Sequence, residues 1–146
     1  MRSLVVAVVA FGVALGPARS TAFASPAEDL GAAFRAYDAN DLAGAAAKLA
    51  TIDDRAIVNR DYLLWLRGMV ALRSDEPEAA RTAFEQLAKI GGSRFARELP
   101  WRLADAAWAR GDRAAAAAAY AKLIAAEGAG DLGDVGTAKF LSLIHI

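Results

Sequence analysis

Gly68, Ala80 and Phe84 return as Ala104, Ala116 and Tyr120, each 36 positions later, and an earlier copy, Ala33, Ala45 and Leu49, stands 35 positions before the first set. A recurrence of two small residues and one large one at this period constrains the fold more than any other feature of the chain. Small residues let two helices approach closely, the large one fills the space beside them, and each helix pair then stacks on a copy of itself. The expected fold is all-α: an antiparallel helix-hairpin solenoid of about three repeats over residues 25–127.

The first 24 residues stand apart from this pattern. Met1-Arg2 is followed by an apolar run from Leu4 to Leu15, then Pro17, then Ala22-Phe23-Ala24. These are the parts of a cleavable secretory signal peptide, with cleavage expected after Ala24. A retained anchor is the alternative, but the run falls short of the ~20 residues that span a bilayer. With no cysteine the exported chain has neither disulfides nor a lipidated cysteine, so core packing must hold it. Losing Arg2 and Arg19 from 17 basic residues leaves a mild excess of the 17 acids, which draws the chain toward neither nucleic acid nor anionic lipid.

Along the mature chain, glycines and prolines gather at a few points between runs rich in alanine, leucine and arginine, and no strand-like alternation occurs. Pro26 opens a helix with Leu30, Ala33, Phe34 and Tyr37 on its inner face, and Asn40-Asp41 caps a second one carrying Ala45, Leu49 and Ile52. Asp53 to Arg60 reads as a connection. The next helix begins at Asp61. Asp75 is expected to cap the following helix, with Pro77 in its first turn, Glu78 reaching back, and Ala80, Phe84, Leu87 and Ile90 facing inward until Gly91-Gly92 ends it. Pro100 marks a helix start or a kink after a short turn over 93–98, and Gly111-Asp112 joins the last pair. Residues 128–146 form a glycine-rich joint and a tail whose last six residues break the period and resemble translated adapter sequence. The chain therefore reads as a fragment, a native apolar C-terminus being the alternative.

Gly68, Ala80 and Phe84, followed by Leu103, Ala104, Gly111, Ala116 and Tyr120, resemble the tetratricopeptide repeat family over roughly residues 27–127, although Ala71 and Ala107 stand where that family has tyrosine. A leader, an alanine-rich first hairpin, Asp61-Tyr62-Leu63-Leu64-Trp65 and Trp101-Arg102-Leu103-Ala104-Asp105-Ala106 before Gly111-Asp112 together resemble the N-terminal superhelical region of soluble lytic murein transglycosylases. The resemblance implies a periplasmic module preceding a lysozyme-like domain that cleaves peptidoglycan glycan. The family's catalytic glutamate maps onto none of Glu76, Glu78, Glu85, Glu98 or Glu127, because none has the Glu-Ser context.

The chain's own residues offer little chemistry. The single histidine, His145, lies in the tail, which argues against a histidine nucleophile system or metal site. The acids at Asp53-Asp54, Asp75-Glu76 and Glu78 stand in turns and at helix starts, where capping explains them better than sugar hydrolysis. Gly91-Gly92 lacks the lysine and hydroxyl residue of a phosphate loop. Arg94, Arg97 and Arg102 suit either an acidic partner or a solvated helix face. Neither catalytic nor cofactor-binding residues are expected. Groove contacts are expected on the first helix of each pair, from Tyr62, Trp65, Met69, Trp101, Asp105 and Trp108, where the tryptophans either line a ladder for peptide or sugar rings or simply pack between helices. The expected partner is peptidoglycan glycan or an envelope protein, with no nucleic acid and no stable membrane span after leader cleavage.

Overall fold

The computed structural model describes residues 25–127; the expectations for the leader and for 128–146 lie outside them. Six helices follow one another: α1 (Pro26–Asp38), α2 (Leu42–Ala50), α3 (Arg60–Arg73), α4 (Pro77–Leu87), α5 (Leu99–Ala109) and α6 (Arg113–Glu127), and no strand occurs among the described residues. Packing is densest within α1/α2, α3/α4 and α5/α6 and thinner between α2 and α3 and between α4 and α5; the first helices also touch, α1 with α3 and α3 with α5. Among the described residues no helix is long and apolar enough to cross a membrane.

The turns inside the three pairs share one hydrogen-bond pattern. The N–H groups of Asp41, Glu76 and Asp112 donate to the carbonyls of Ala36, Ala71 and Ala107 at 2.8, 2.9 and 3.0 Å. Just before each donor stands a residue in the left-handed region: Asn40 at φ 62°, Asp75 at φ 59° and Gly111 at φ 90°. This is the closure that satisfies the orphan carbonyls of a helix end. The carbonyls of Asp41, Glu76 and Asp112 then accept from Ala45, Ala80 and Ala116, starting the second helix of each pair. The turns therefore recur at the same 35- and 36-residue spacing as the small residues.

Asp75 is not the cap expected of it. A capping residue needs an extended backbone, whereas the closure forces Asp75 left-handed, so Glu76 takes the cap position and no side chain caps α4. Glu78, expected to reach back, pairs instead with Arg81 at 3.2 Å and Arg110 at 3.4 Å. Asp41 does cap, accepting from the Gly44 N–H at 2.8 Å. At α1 a full capping box forms: Glu28 N–H donates to Ser25 Oγ at 3.3 Å and Ser25 N–H to the Glu28 carboxylate at 2.7 Å. That second bond, followed by the Ser25 hydroxyl, lowers the Glu28 pKa. α4 ends at Leu87, before Gly91-Gly92; Ile90 still packs inward, carried by a turn in which its N–H meets the Leu87 carbonyl at 2.9 Å. Pro100 sits in the first turn of α5, where it removes no helix hydrogen bond.

The small residues and their large companions are buried in all three pairs. In the second pair the Phe84 ring lies directly against Gly68, in the space a Cβ there would occupy. Burying a side chain of this size contributes about 1.5–3 kcal/mol. Phe34, expected to face inward, is 42% exposed. It is on the outer helix of the first pair, which has a neighbouring pair on one side only among the described residues.

Gly68→Ala should lower stability. The gain of about 0.5–1 kcal/mol from replacing a mid-helix glycine is smaller than the roughly 1–3 kcal/mol cost of overpacking against a buried ring. Urea denaturation should show the loss, and the double variant with Phe84→Leu should be more stable than the sum of the single effects.

Candidate functional site

A connected run of rings crosses the first helices. Phe34 on α1 meets Tyr62 on α3 at 6.0 Å between centroids, Tyr62 meets Phe95 at 5.9 Å, Phe95 stacks on Trp65 at 4.4 Å and 1°, and Trp65 reaches the buried Phe84 at 5.9 Å. The run therefore leads from solvent at Phe34 to the core at Phe84. Offset stacking and tilted contacts suit the ring quadrupoles.

Phe95 belongs to no helix, and its placement depends on its neighbours. Arg94 Nε donates to Asp61 Oδ2 at 3.0 Å, its guanidinium also reaches Asn59 Oδ1 at 3.4 Å, and its backbone N–H points at the same Asp61 oxygen at 3.4 Å. Phe95 N–H donates to Ser93 Oγ at 3.2 Å. Turn 93–98 is thereby pinned to the start of α3, and Phe95 lands on Trp65. Partial burial acts to raise the Asp61 pKa, but the Arg94 side-chain bond and the Tyr62 and Arg94 N–H groups outweigh it, leaving the carboxyl below its ordinary value. Burial raises the Tyr62 hydroxyl, with the Arg94 charge opposing.

On α5 the residues turn to internal work. Trp101 is only 2% exposed and meets Tyr120 at 6.3 Å. The Tyr120 hydroxyl donates to Asp105 Oδ1 at 2.6 Å and Arg102 Nη1 donates to Asp105 Oδ2, also at 2.6 Å, so both carboxylate oxygens are engaged. Trp108 is half-buried with the Arg113 guanidinium over its ring at 4.0 Å, and Arg113 Nη1 donates to the Trp108 carbonyl at 2.9 Å. Met69 packs on the cluster shared by α3, α4 and α5.

The six expected groove residues thus fall into two groups. Tyr62, Trp65 and Met69 belong to the surface around α3, while Trp101, Asp105 and Trp108 serve the third pair. The arginine group divides likewise: Arg94 holds Asp61, Arg102 holds Asp105, and Arg97 is exposed. Phe34 and Phe95 complete the ring run, and the sequence pattern assigned neither of them to a site.

A cleft of about 520 Å³ lies elsewhere. It opens between the second helices α2 and α4, with Ala46 and Ala50 on one wall, Thr82 and Ala83 on the other, and Arg67 and Val70 on its α3 floor. Arg67 Nη2 donates to the carbonyls of Leu49 at 3.0 Å and Ile52 at 2.8 Å, and Nη1 is paired with the Asp54 carboxylate. No group of three histidine, cysteine or acidic side chains placed to hold a metal ion occurs among the described residues.

No family model, curated protein or solved structure matches this chain.

Because the folded Asp61 pKa lies below its unfolded value, the stability it contributes is present above the ordinary aspartate range and is lost as pH falls through the lowered value. Arg94→Ala should move the Asp61 carboxyl titration, followed by NMR, upward toward the unperturbed value and narrow this acid-sensitive window.

Proposed function

We propose that this chain is a non-catalytic, exported helical-repeat module of tetratricopeptide-like architecture, stacked as a solenoid. In this reading residues 1–24 are its signal peptide and the periplasm its compartment. Its parent is a lytic transglycosylase, in which the repeats hold peptidoglycan glycan for a separate catalytic domain. The observation that carries the reading is the turn closure repeated three times in register with the buried small residues. A chain that builds one helix pair three times presents an extended surface rather than a converging pocket.

A second reading, an envelope adaptor that binds a protein tail with no enzyme attached, is favoured by one specific feature. Stacking on a sugar needs an open ring face, and each tryptophan has commitments inside the fold: Trp65 to Phe95, Trp101 to Tyr120 and Trp108 to Arg113. Among the described residues Phe34 is the one ring that is exposed outright, while Tyr37, Tyr62, Trp65, Phe95 and Trp108 are half-buried, a surface that suits apolar side chains of a peptide.

Co-sedimentation of the full chain with purified peptidoglycan sacculi tests the first reading. Binding is expected, and Phe34→Ala, a truncation at a surface anchor, should weaken it about tenfold. Absence of binding to sacculi, together with capture of envelope protein tails weakened by the same substitution, would replace the first reading with the second.

A further inference from the structure

The cleft between α2 and α4 is walled by helices whose main packing is on common ground: α2 packs on α1 and α3, and α4 on α3 and α5. Its width is therefore set by how α2 is held to α3. Two things hold it. One is an apolar seam, in which Leu49 and Ile52 share a cluster with Leu63, Leu66 and Val70 of α3. The other is Arg67, rooted on α3 at the cleft floor, whose Nη2 takes the Leu49 and Ile52 carbonyls at 3.0 and 2.8 Å while Nη1 pairs with Asp54 in the following connection. A guanidinium suits this place because helix C-terminal carbonyls are both unsatisfied and electronegative. Its planar fork takes the two carbonyls on one nitrogen and the carboxylate on the other, a span that the single nitrogen of an ammonium does not reach.

The two holds differ in kind. The seam is short-range and non-directional, so it tolerates a change of angle. The Arg67 contacts are directional, and the ion pair is partly open to solvent, with side-chain exposures of 27% and 25%. We infer that Arg67 is a latch that sets the width of the α2–α4 cleft, with the apolar seam as its pivot. Releasing it swings α2 away from α4 without unfolding either helix pair, a hinge motion of one packed unit on another. The latch stands independently of the proposed glycan or peptide partner, because it concerns the face formed by second helices.

The chain has no native cysteine, so cysteines introduced at the exposed positions Ala47 on α2 and Glu85 on α4 can be spin-labelled selectively. In the full chain, Arg67→Ala should lengthen and broaden the inter-label distance distribution. Amide exchange at the C-terminal end of α2 should rise about tenfold, the effect of losing roughly one net hydrogen bond, while exchange across α4 stays unchanged. Arg67→Lys should widen the distribution as well, and Asp54→Asn, which spares the carbonyl contacts, should widen it less. Arg94→Ala, which cuts an ion pair to the 93–98 turn, should leave it unaltered. An unchanged distribution in a folded Arg67→Ala protein, or exchange raised equally in all six helices, would overturn the latch. Should Arg67→Ala fail to fold, Asp54→Asn decides: widening supports the latch and an unchanged distribution refutes it.

Discussion

The contact on which the rest of the molecule depends is a ring lying where a side chain is missing. Phe84 occupies the space beside Gly68 that a methyl group would fill, and this fixes how closely α3 and α4 approach. Once two helices are that near, the turn between them must be tight, and the closure through Ala71, Asp75 and Glu76 is tight enough. The first and third pairs obey the same constraint, with Ala33 and Ala45 beside Leu49 and with Ala104 and Ala116 beside Tyr120. Close packing, turn geometry and residue size thus agree three times, the consistency across levels that gives a sequence one preferred structure.

Arginines supply what the apolar contacts lack, a sense of register between successive pairs. Arg73 reaches back to Asn40 Oδ1 at 2.6 Å, Arg94 to Asp61 at 3.0 Å and Arg110 to Glu78 at 3.4 Å, so each tether spans roughly one repeat. Exposed pairs of this type add little stability, because solvent screens them. Their value lies in direction: hydrophobic seams do not choose between neighbouring registers, and point contacts do.

How much of this was legible in the sequence depends on what kind of partner each residue has. The buried positions from Ala33 to Tyr120 were readable because helix packing repeats residue identities at a fixed interval. Capping by Asp41 was readable because its partner is the next helix turn. Asp75 misled because its acid chemistry suggests a cap, while the backbone closure, invisible in residue type alone, claimed its conformation. Phe34 misled because periodicity shows which face a residue occupies but not how fully a neighbour covers it: Tyr62 reaches its ring and leaves it 42% exposed. Phe95 and Arg67 left no trace: the first sits in an aperiodic turn, and the second bonds to main-chain carbonyls, which every residue carries. The ring run and the cleft are therefore visible only in the fold, whereas the helix pairs are already written in the order of residues.

The three copies have identical internal spacing, yet they recur at 35 and then 36 positions. The odd residue must therefore fall between Phe84 and Ala104, the stretch that contains the 88–98 turns. Length in such a chain is editable only in the joints. An insertion or deletion there moves one pair as a whole, whereas the same change between Ala33 and Leu49, or inside either later copy, would break the spacing that seats the small residues of that pair against each other. Within the joint at 53–59, Asp54, Ile57 and Asn59 are engaged with α3, the core and Arg94, which leaves Val58, 99% exposed, as the point where a tag or spacer can be grafted with least disturbance to either adjoining pair.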